Sequence, residues 1–292
     1  MKQVFKNITI VIAFLFVLPG VFAQVDMITA SEYKALVKSD KNVVTVHAGK
    51  AKNYNANHLK GSILVSYKKT DKEGDVKGLM MDPQDLATFF GESGISETNT
   101  IVLYDNGSQK YSTRLYWLLK YLGAPNVKIL HKDKDSWRKA RMILVSAPTK
   151  GKATTFTANV DNSILAVMAD VEKSKADANV VLIDVRAIGE FDGSAEKSNG
   201  HIPGAVNINH EDFLTADSKA FKSTDELKAL VEKVGATPDK TIILYCITSI
   251  RGAVGYVAFK NILGYPNVKL YDGSMHQWAL EKRPVEKMMW NR

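Results

Sequence analysis

The sequence predicts an α/β protein made of two tandem copies of one unit, each a mainly parallel sheet flanked by helices. The first observation behind this is an internal repeat. Residues 100–137, TIVLYDNGSQKYSTRLYWLLKYLGAPNVKILHKDKDSW, align without a gap to residues 241–278, TIILYCITSIRGAVGYVAFKNILGYPNVKLYDGSMHQW, at a constant offset of 141. Upstream, HLKG at His58–Gly61 mirrors HIPG at His201–Gly204, and VVTVHAG at 43–49 mirrors VVLIDVR at 180–186. One unit made twice is the economical reading, and 292 residues fit two domains. The second observation is the alternation of short β-rich runs with helical ones, which implies right-handed strand–helix–strand crossovers and hence parallel sheets.

The elements follow in chain order. Lys2 and Lys6 precede an apolar run from Ile8 to Leu18, and Pro19-Gly20 and Val21-Phe22-Ala23 close it. That is the layout of a secretory signal peptide cleaved after Ala23, and the run is shorter than the roughly 20 apolar residues of a spanning helix. No cysteine follows the run to carry a lipid. The expectation is an exported protein, periplasmic or secreted, with no stable membrane insertion after cleavage. Residues 24–145 form the first domain and 157–292 the second. The intervening stretch, 146–156, contains the polar, Pro- and Gly-bearing Ser146–Lys152 and is read as the linker. Within the second copy, VVLIDV and TIILY are continuous apolar strands of the kind buried on both faces. Gly252 to Leu263 carries apolar residues at helical spacing, Gly264-Tyr265-Pro266 stops it, and Asn267–Tyr271 is the next strand. Trp137 and Trp278 are repeat equivalents expected in the core, and His58 and His201 are equivalents expected to fix a turn.

The formal charge is +8, and removing Lys2 and Lys6 with the leader leaves +6. The lysines are scattered and no aromatic-interleaved basic stripe appears, which argues against nucleic acid and for a small anionic substrate or an acidic partner. The six histidines lack metal-ligand spacing, so no metal is expected. His276 is expected at the surface, with a place in the wall of the cleft as the alternative, since its segment follows the strand after the cysteine loop.

Cys246 is the only cysteine, so no intramolecular disulfide can form. A lone thiol in an oxidising compartment is either buried filler or used. Its neighbours favour use. It lies at the carboxyl end of strand TIILY, before a short loop and a helix, where parallel sheets bind their ligands. Loop N–H groups and a helix N-terminus there stabilise thiolate over thiol, and also an anion bound to the sulfur. Arg251 adds a permanent positive charge.

The loop Cys246-Ile247-Thr248-Ser249-Ile250-Arg251 resembles the six-residue active-site loop of the rhodanese (sulfurtransferase) family. Asp184-Val185-Arg186, Gly200-His201-Ile202-Pro203-Gly204-Ala205 and Tyr271-Asp272-Gly273-Ser274 before Trp278 extend the resemblance over the second half, and the repeat carries it over the first. The resemblance implies tandem rhodanese-like domains, the first inactive and the second catalytic. It also implies a cysteine that takes a sulfane sulfur as a persulfide and passes it to cyanide or a thiol. Thiosulfate or 3-mercaptopyruvate is the implied donor, with no cofactor. The expected roles are Cys246 as nucleophile, the loop amides from Ile247 through Thr248, Ser249 and Ile250 to Arg251 as cradle, and Arg251 as the cation that orients the donor. Arg186 is expected to help from the adjacent strand end, unless it is tied into a structural ion pair with a carboxylate such as Glu190. Asp184 is expected to be structural.

In the first copy Asp105 stands where Cys246 does, Lys110 where Arg251 does and Gly49 where Arg186 does, so that copy is a non-catalytic wall of the cleft. The second copy departs from many family loops at Ser249, where Gly is common, and at Ile247, where a basic or small residue is common. These departures motivate a rival of another class, a persulfide carrier or binding module with little turnover on small donors. A cysteine phosphatase is disfavoured, because its loop holds one more residue between Cys and Arg and no aspartate here marks a dedicated acid.

Overall fold

The computed structural model describes residues 26–288, and the expected leader, residues 1–23, lies outside them. The first half folds around strands β1 (Met27–Ile28), β2 (Val43–His47), β3 (Ile63–Leu64), β4 (Thr100–Tyr104) and β5 (Val127–Leu130). The second half uses β6 (Leu165–Ala166), β7 (Val180–Asp184), β8 (Val206–Asn207), β9 (Thr241–Tyr245) and β10 (Val268–Tyr271). The sheet orders are β1-β5-β4-β2-β3 and β6-β10-β9-β7-β8, so one order is built twice, with every pair parallel. The tandem α/β architecture expected from the repeat is therefore present.

Side-chain alternation explains why the central strands read as unbroken apolar runs. In β4, Ile101 and Leu103 face one cluster while Val102 and Tyr104 face another. In β9, Ile242 and Leu244 face the same cluster as Ile101 and Leu103, while Ile243 and Tyr245 face a third. Each sheet thus has a private outer core, and the two inner faces share one continuous core. Helices α2 (Lys110–Tyr121) and α3 (Gly252–Val257) pack against each other across that junction. Helix α1 (Ala30–Ser39) is fixed at its start by a capping box between Thr29 and Glu32.

The helix expected from Gly252 to Leu263 is present but changes pitch, running as α-helix to Val257 and as a π-turn over Ala258–Ile262. The segment after residue 146 is laid onto the first half. Thr154 and Asn159 donate their N–H groups to the carbonyls of Gly91 and Leu122, and Phe156 is buried in the shared core. Gly151 has to be glycine in this path, since a Cβ there would lie 2.0 Å from the Ser93 carbonyl oxygen.

Trp137 and Trp278 occupy equivalent places in the two outer cores. His58 and His201 do fix turns. Their Nδ1 atoms bond the carbonyls of Tyr54 and Phe191, at 2.7 and 2.8 Å, and each ring stacks on that same aromatic residue. Among the described residues, no helix is long and apolar enough to cross a membrane.

Candidate active site

The pairing of β9 with β7 sets Tyr245 opposite Asp184, so the residues after both strand ends meet at one edge. Cys246 follows Tyr245 directly and is buried, 1% exposed. The next helix, α4 (Ser274–Leu280), docks back onto this segment. Met275 and His276 donate their N–H groups to the carbonyls of Cys246 and Ile247, both at 3.0 Å.

Ser274 organises the loop from below. Its buried Oγ accepts the N–H groups of Cys246 at 3.3 Å and Ser249 at 3.0 Å, and donates to the Tyr271 carbonyl at 2.8 Å. Ile250 sends its N–H to the Thr248 carbonyl at 2.8 Å. The expectation that every amide from Ile247 to Arg251 would converge on the sulfur is corrected accordingly, because the Ser249 amide goes to Ser274 and the Ile250 amide to the Thr248 carbonyl. Ser249 itself is fully buried with φ +61, the left-handed region that a glycine would enter freely. Its hydroxyl lies 2.9 Å from Asp272 Oδ1 and 2.6 Å from the Thr248 carbonyl.

Both expected arginines stand beside the loop, each tied to a carboxylate. Arg251 donates to both oxygens of Glu190, at 2.6 and 2.8 Å. Burial works against its charge, but Glu190 and the neighbouring Cys246 sulfur hold its pKa above the usual arginine value. Glu190 is lowered in turn, chiefly by the Arg251 hydrogen bond. Arg186 pairs with Asp184 rather than Glu190, through Nε and Nη2 at 2.6–2.9 Å, and also donates to the Gly200 carbonyl at 2.8 Å. Asp184 additionally accepts the Arg186 N–H at 3.0 Å, a structural role as expected. Arg186 thus takes the structural pairing foreseen as its alternative, with the partner corrected to Asp184.

Beside the loop opens a cavity of ≈350 Å³ lined by Arg186, Glu190, Lys197, Ile247 and His276 among others. Lys197 brings a cation that the sequence analysis did not single out, from the loop preceding the Gly-His-Ile-Pro-Gly turn. His276 is half-buried in this wall rather than exposed, and its Nδ1 accepts the Lys77 N–H at 3.3 Å.

The first half supplies the lid of this region. Met80 donates its N–H to Asp272 Oδ2 at 2.8 Å, and Arg114 donates to Asp272 Oδ1 at 2.6 Å and to the Gly78 carbonyl at 3.2 Å. Gly78, at φ +79, lies so close to Thr248 that a Cβ would meet the threonine Cβ at 2.6 Å. The degenerate loop of the first half fills its own cradle. The Asp105 carboxylate accepts the N–H groups of Gly107, Gln109 and Tyr111 and the Ser108 hydroxyl, at 2.8–3.2 Å. Its non-glycine left-handed residue is Gln109, one place later than repeat spacing to Ser249 would put it, and Gly107 adds a second positive φ at +96, so the two loops differ in path as well as chemistry.

Two copies of one parallel fold, one with a cysteine loop and the other with an aspartate filling the equivalent loop, define a tandem-domain protein of the sulfurtransferase class. Comparison with known proteins agrees. The rhodanese-like domain model matches residues 29–140 and again 167–281. A putative thiosulfate sulfurtransferase of Haloferax volcanii is 32% identical over 250 residues, covering 80% of this chain and 85% of that protein. The sulfur carrier protein TtuD of Thermus thermophilus is 29% identical over 240 residues, covering 77% of this chain and 84% of that one. The structure of SseA from Escherichia coli, a 3-mercaptopyruvate sulfotransferase, superposes with TM-score 0.77 at 24% identity, covering 85% of this chain and 98% of that chain. The chain belongs to the rhodanese family, as a tandem-domain member.

Proposed function

We propose that this enzyme moves a sulfane sulfur from thiosulfate, or a related small anionic donor, to cyanide or a thiol through a persulfide on Cys246. The Cys246 thiolate attacks the outer sulfur of thiosulfate. A sulfur–sulfur bond forms, the bond to the sulfonate sulfur breaks, and sulfite leaves with its electron pair. The acceptor then attacks the outer sulfur of the persulfide, the new bond breaks, and the thiolate returns. Electrons balance between donor and acceptor without a metal or organic cofactor.

The observation that carries this reading is the placement of Cys246 at a parallel strand end, with its loop bound to Ser274 and the Arg251 guanidinium beside its sulfur. Arg251 offsets the charge of the persulfide and of the approaching donor. Lys197 adds a cation to the lining of the adjoining cavity, where Arg186 is already paired with Asp184. The apolar run from Ile8 to Leu18 supports export of the mature protein. Steady-state thiocyanate formation from thiosulfate and cyanide tests the reading. Turnover is expected in the parent and is abolished by Cys246→Ser; turnover retained in Cys246→Ser would remove Cys246 from the mechanism.

The second reading, a persulfide carrier, is favoured by the deep burial of Cys246 and by the side-chain-bearing Ser249 in a left-handed turn. TtuD, a relative over most of its length, is named a sulfur carrier. Sulfur that loads but leaves only to a protein thiol, with no thiocyanate formed, would favour it.

A further inference from the structure

Asp272 is the most heavily bonded of the points where the first domain touches the machinery of the second, beside Gly78 on Thr248 and Lys77 on His276. It is 2% exposed and accepts three hydrogen bonds, two of them from the first domain. Arg114 Nη1 reaches Oδ1 at 2.6 Å and the Met80 N–H reaches Oδ2 at 2.8 Å. The third partner is Ser249, whose hydroxyl lies 2.9 Å from Oδ1. Arg114 is 1% exposed, lies on α2 of the domain that lacks a cysteine, and has its Nη2 fixed on the Gly78 carbonyl at 3.2 Å. Nothing in its surroundings lets it meet a donor. A buried arginine with its guanidinium committed in this way holds whatever its carboxylate holds.

Asp272 holds the strained position of the loop. At φ +61 a residue with a side chain is confined at a conformational cost, which persists only where neighbours fix it. Ser249 is fixed by its N–H bond to Ser274, by the Ala253 N–H that its carbonyl accepts, and by its hydroxyl. The one hydroxyl proton is shared between the Thr248 carbonyl at 2.6 Å and Asp272 at 2.9 Å. Of these partners Asp272 is the one tied to the first domain, and its charge makes it the stronger kind of acceptor. We propose that Arg114 is a positioning residue for the Cys246 loop: through Asp272 it holds Ser249 in the left-handed turn, so the cysteine-free domain sets the geometry of the catalytic one. The consequence for sulfur loading rests on the persulfide reading, whereas the consequence for loop geometry does not.

The test is a double-substitution cycle on the full chain, with Arg114→Met, Ser249→Gly and the pair. Alkylation of Cys246 by iodoacetamide reads loop geometry without any sulfur chemistry. Sulfur loading from thiosulfate, followed by intact mass, gives a saturating rate and a half-saturating concentration. Arg114→Met is expected to slow both reactions about tenfold when Ser249 is kept, and less than about threefold in the Ser249→Gly background, because glycine holds φ +61 unaided. The saturating loading rate should carry the loss, with the half-saturating concentration little changed. A merely structural ion pair would lower the thermal midpoint in both backgrounds and give no rescue by glycine. Equal slowing in the two backgrounds, or none in either, would overturn the proposal. Should Arg114→Met fail to fold, Arg114→Lys keeps the charge, loses the planar fork and serves the same cycle. Its expected slowing is about threefold with Ser249 kept, and none in the Ser249→Gly background. If the parent takes no sulfur from thiosulfate, the sulfurtransferase reading fails while the alkylation rates still decide this one.

Discussion

Arg251 and Glu190 face each other across 61 residues of sequence and form a two-pronged ion pair, at 2.6 and 2.8 Å, beside the Cys246 sulfur. The cation expected to receive an anionic donor is therefore already paired. Glu190 fixes the guanidinium, and it also subtracts from the positive potential that a thiosulfate dianion would meet.

Glu190→Gln keeps a hydrogen-bond acceptor for Arg251 and removes the negative charge. The half-saturating thiosulfate concentration is expected to fall about threefold, the size of one partly screened charge. Loading rates measured against thiosulfate concentration check it. A rise would mean that the pair serves mainly to place Arg251.

Lys197 lines the cavity beside Ile247 and His276, and the sequence offered no reason to choose it among scattered lysines. Lys197→Ala is expected to raise the half-saturating thiosulfate concentration about threefold and to flatten its dependence on salt, because one screened attraction is lost. An unchanged salt dependence would place the donor elsewhere.

Ser274 accepts two N–H groups of the loop inside a site closed to water. Ser274→Ala leaves both donors buried and unpaired, at a cost of about 1–3 kcal/mol for each. For a chain of this size the thermal midpoint should drop by about 3–10 °C. Sulfur loading should slow as well, and a variant with parental midpoint and parental loading would contradict the assigned role.

Half-buried Asp71 and buried His210, both near the loop, shift in opposite senses. Asp71 is pushed up to about 6 from an ordinary 3.8, by burial first and then by the Asp272 carboxylate, against Arg114 and Lys68. His210 is pushed down to about 4 from 6.5, by burial and then by Arg251 and Lys110, against Glu211 and Glu190. As pH rises through the Asp71 window the unfolded chain gives up that proton before the folded chain does, so Asp71 makes stability fall with pH. In the His210 window the unfolded chain binds a proton that the folded chain refuses, so His210 makes stability rise with pH, and the two slopes oppose. Asp71→Asn is expected to be more stable than the parent by about 1–2 kcal/mol at neutral pH, after allowance for partial exposure. The gain should fade as pH falls through the Asp71 window. Urea unfolding of both proteins at mildly acid and neutral pH checks it, and a gain independent of pH would contradict it.

The tandem fold was legible because a strand buried on both faces leaves an unbroken apolar run, and the run recurs at one fixed spacing in both halves. The cysteine loop was legible because strand, cysteine, short loop and helix are contiguous in the chain. What contacts that loop was not. Glu190, Asp272 and Arg114 reach it from sites 61, 23 and 158 residues away from the partners they bind, and only the packing of the two sheets brings them together. Arg114 in particular reads as one more charge on an amphipathic helix, yet it is among the most buried side chains in the molecule. Asp105 was visible as a replacement for cysteine, but its filling of the loop amides depends on a backbone path that repeat spacing places one residue off.

The central claim is that Cys246 carries a transferable sulfur, and intact mass after incubating the reduced protein with thiosulfate, or with 3-mercaptopyruvate, tests it most directly. The account predicts a gain of one sulfur atom that is absent in Cys246→Ser and removed by cyanide, with the donor that loads naming the substrate. No gain with either donor would contradict it and move the carrier reading to first place.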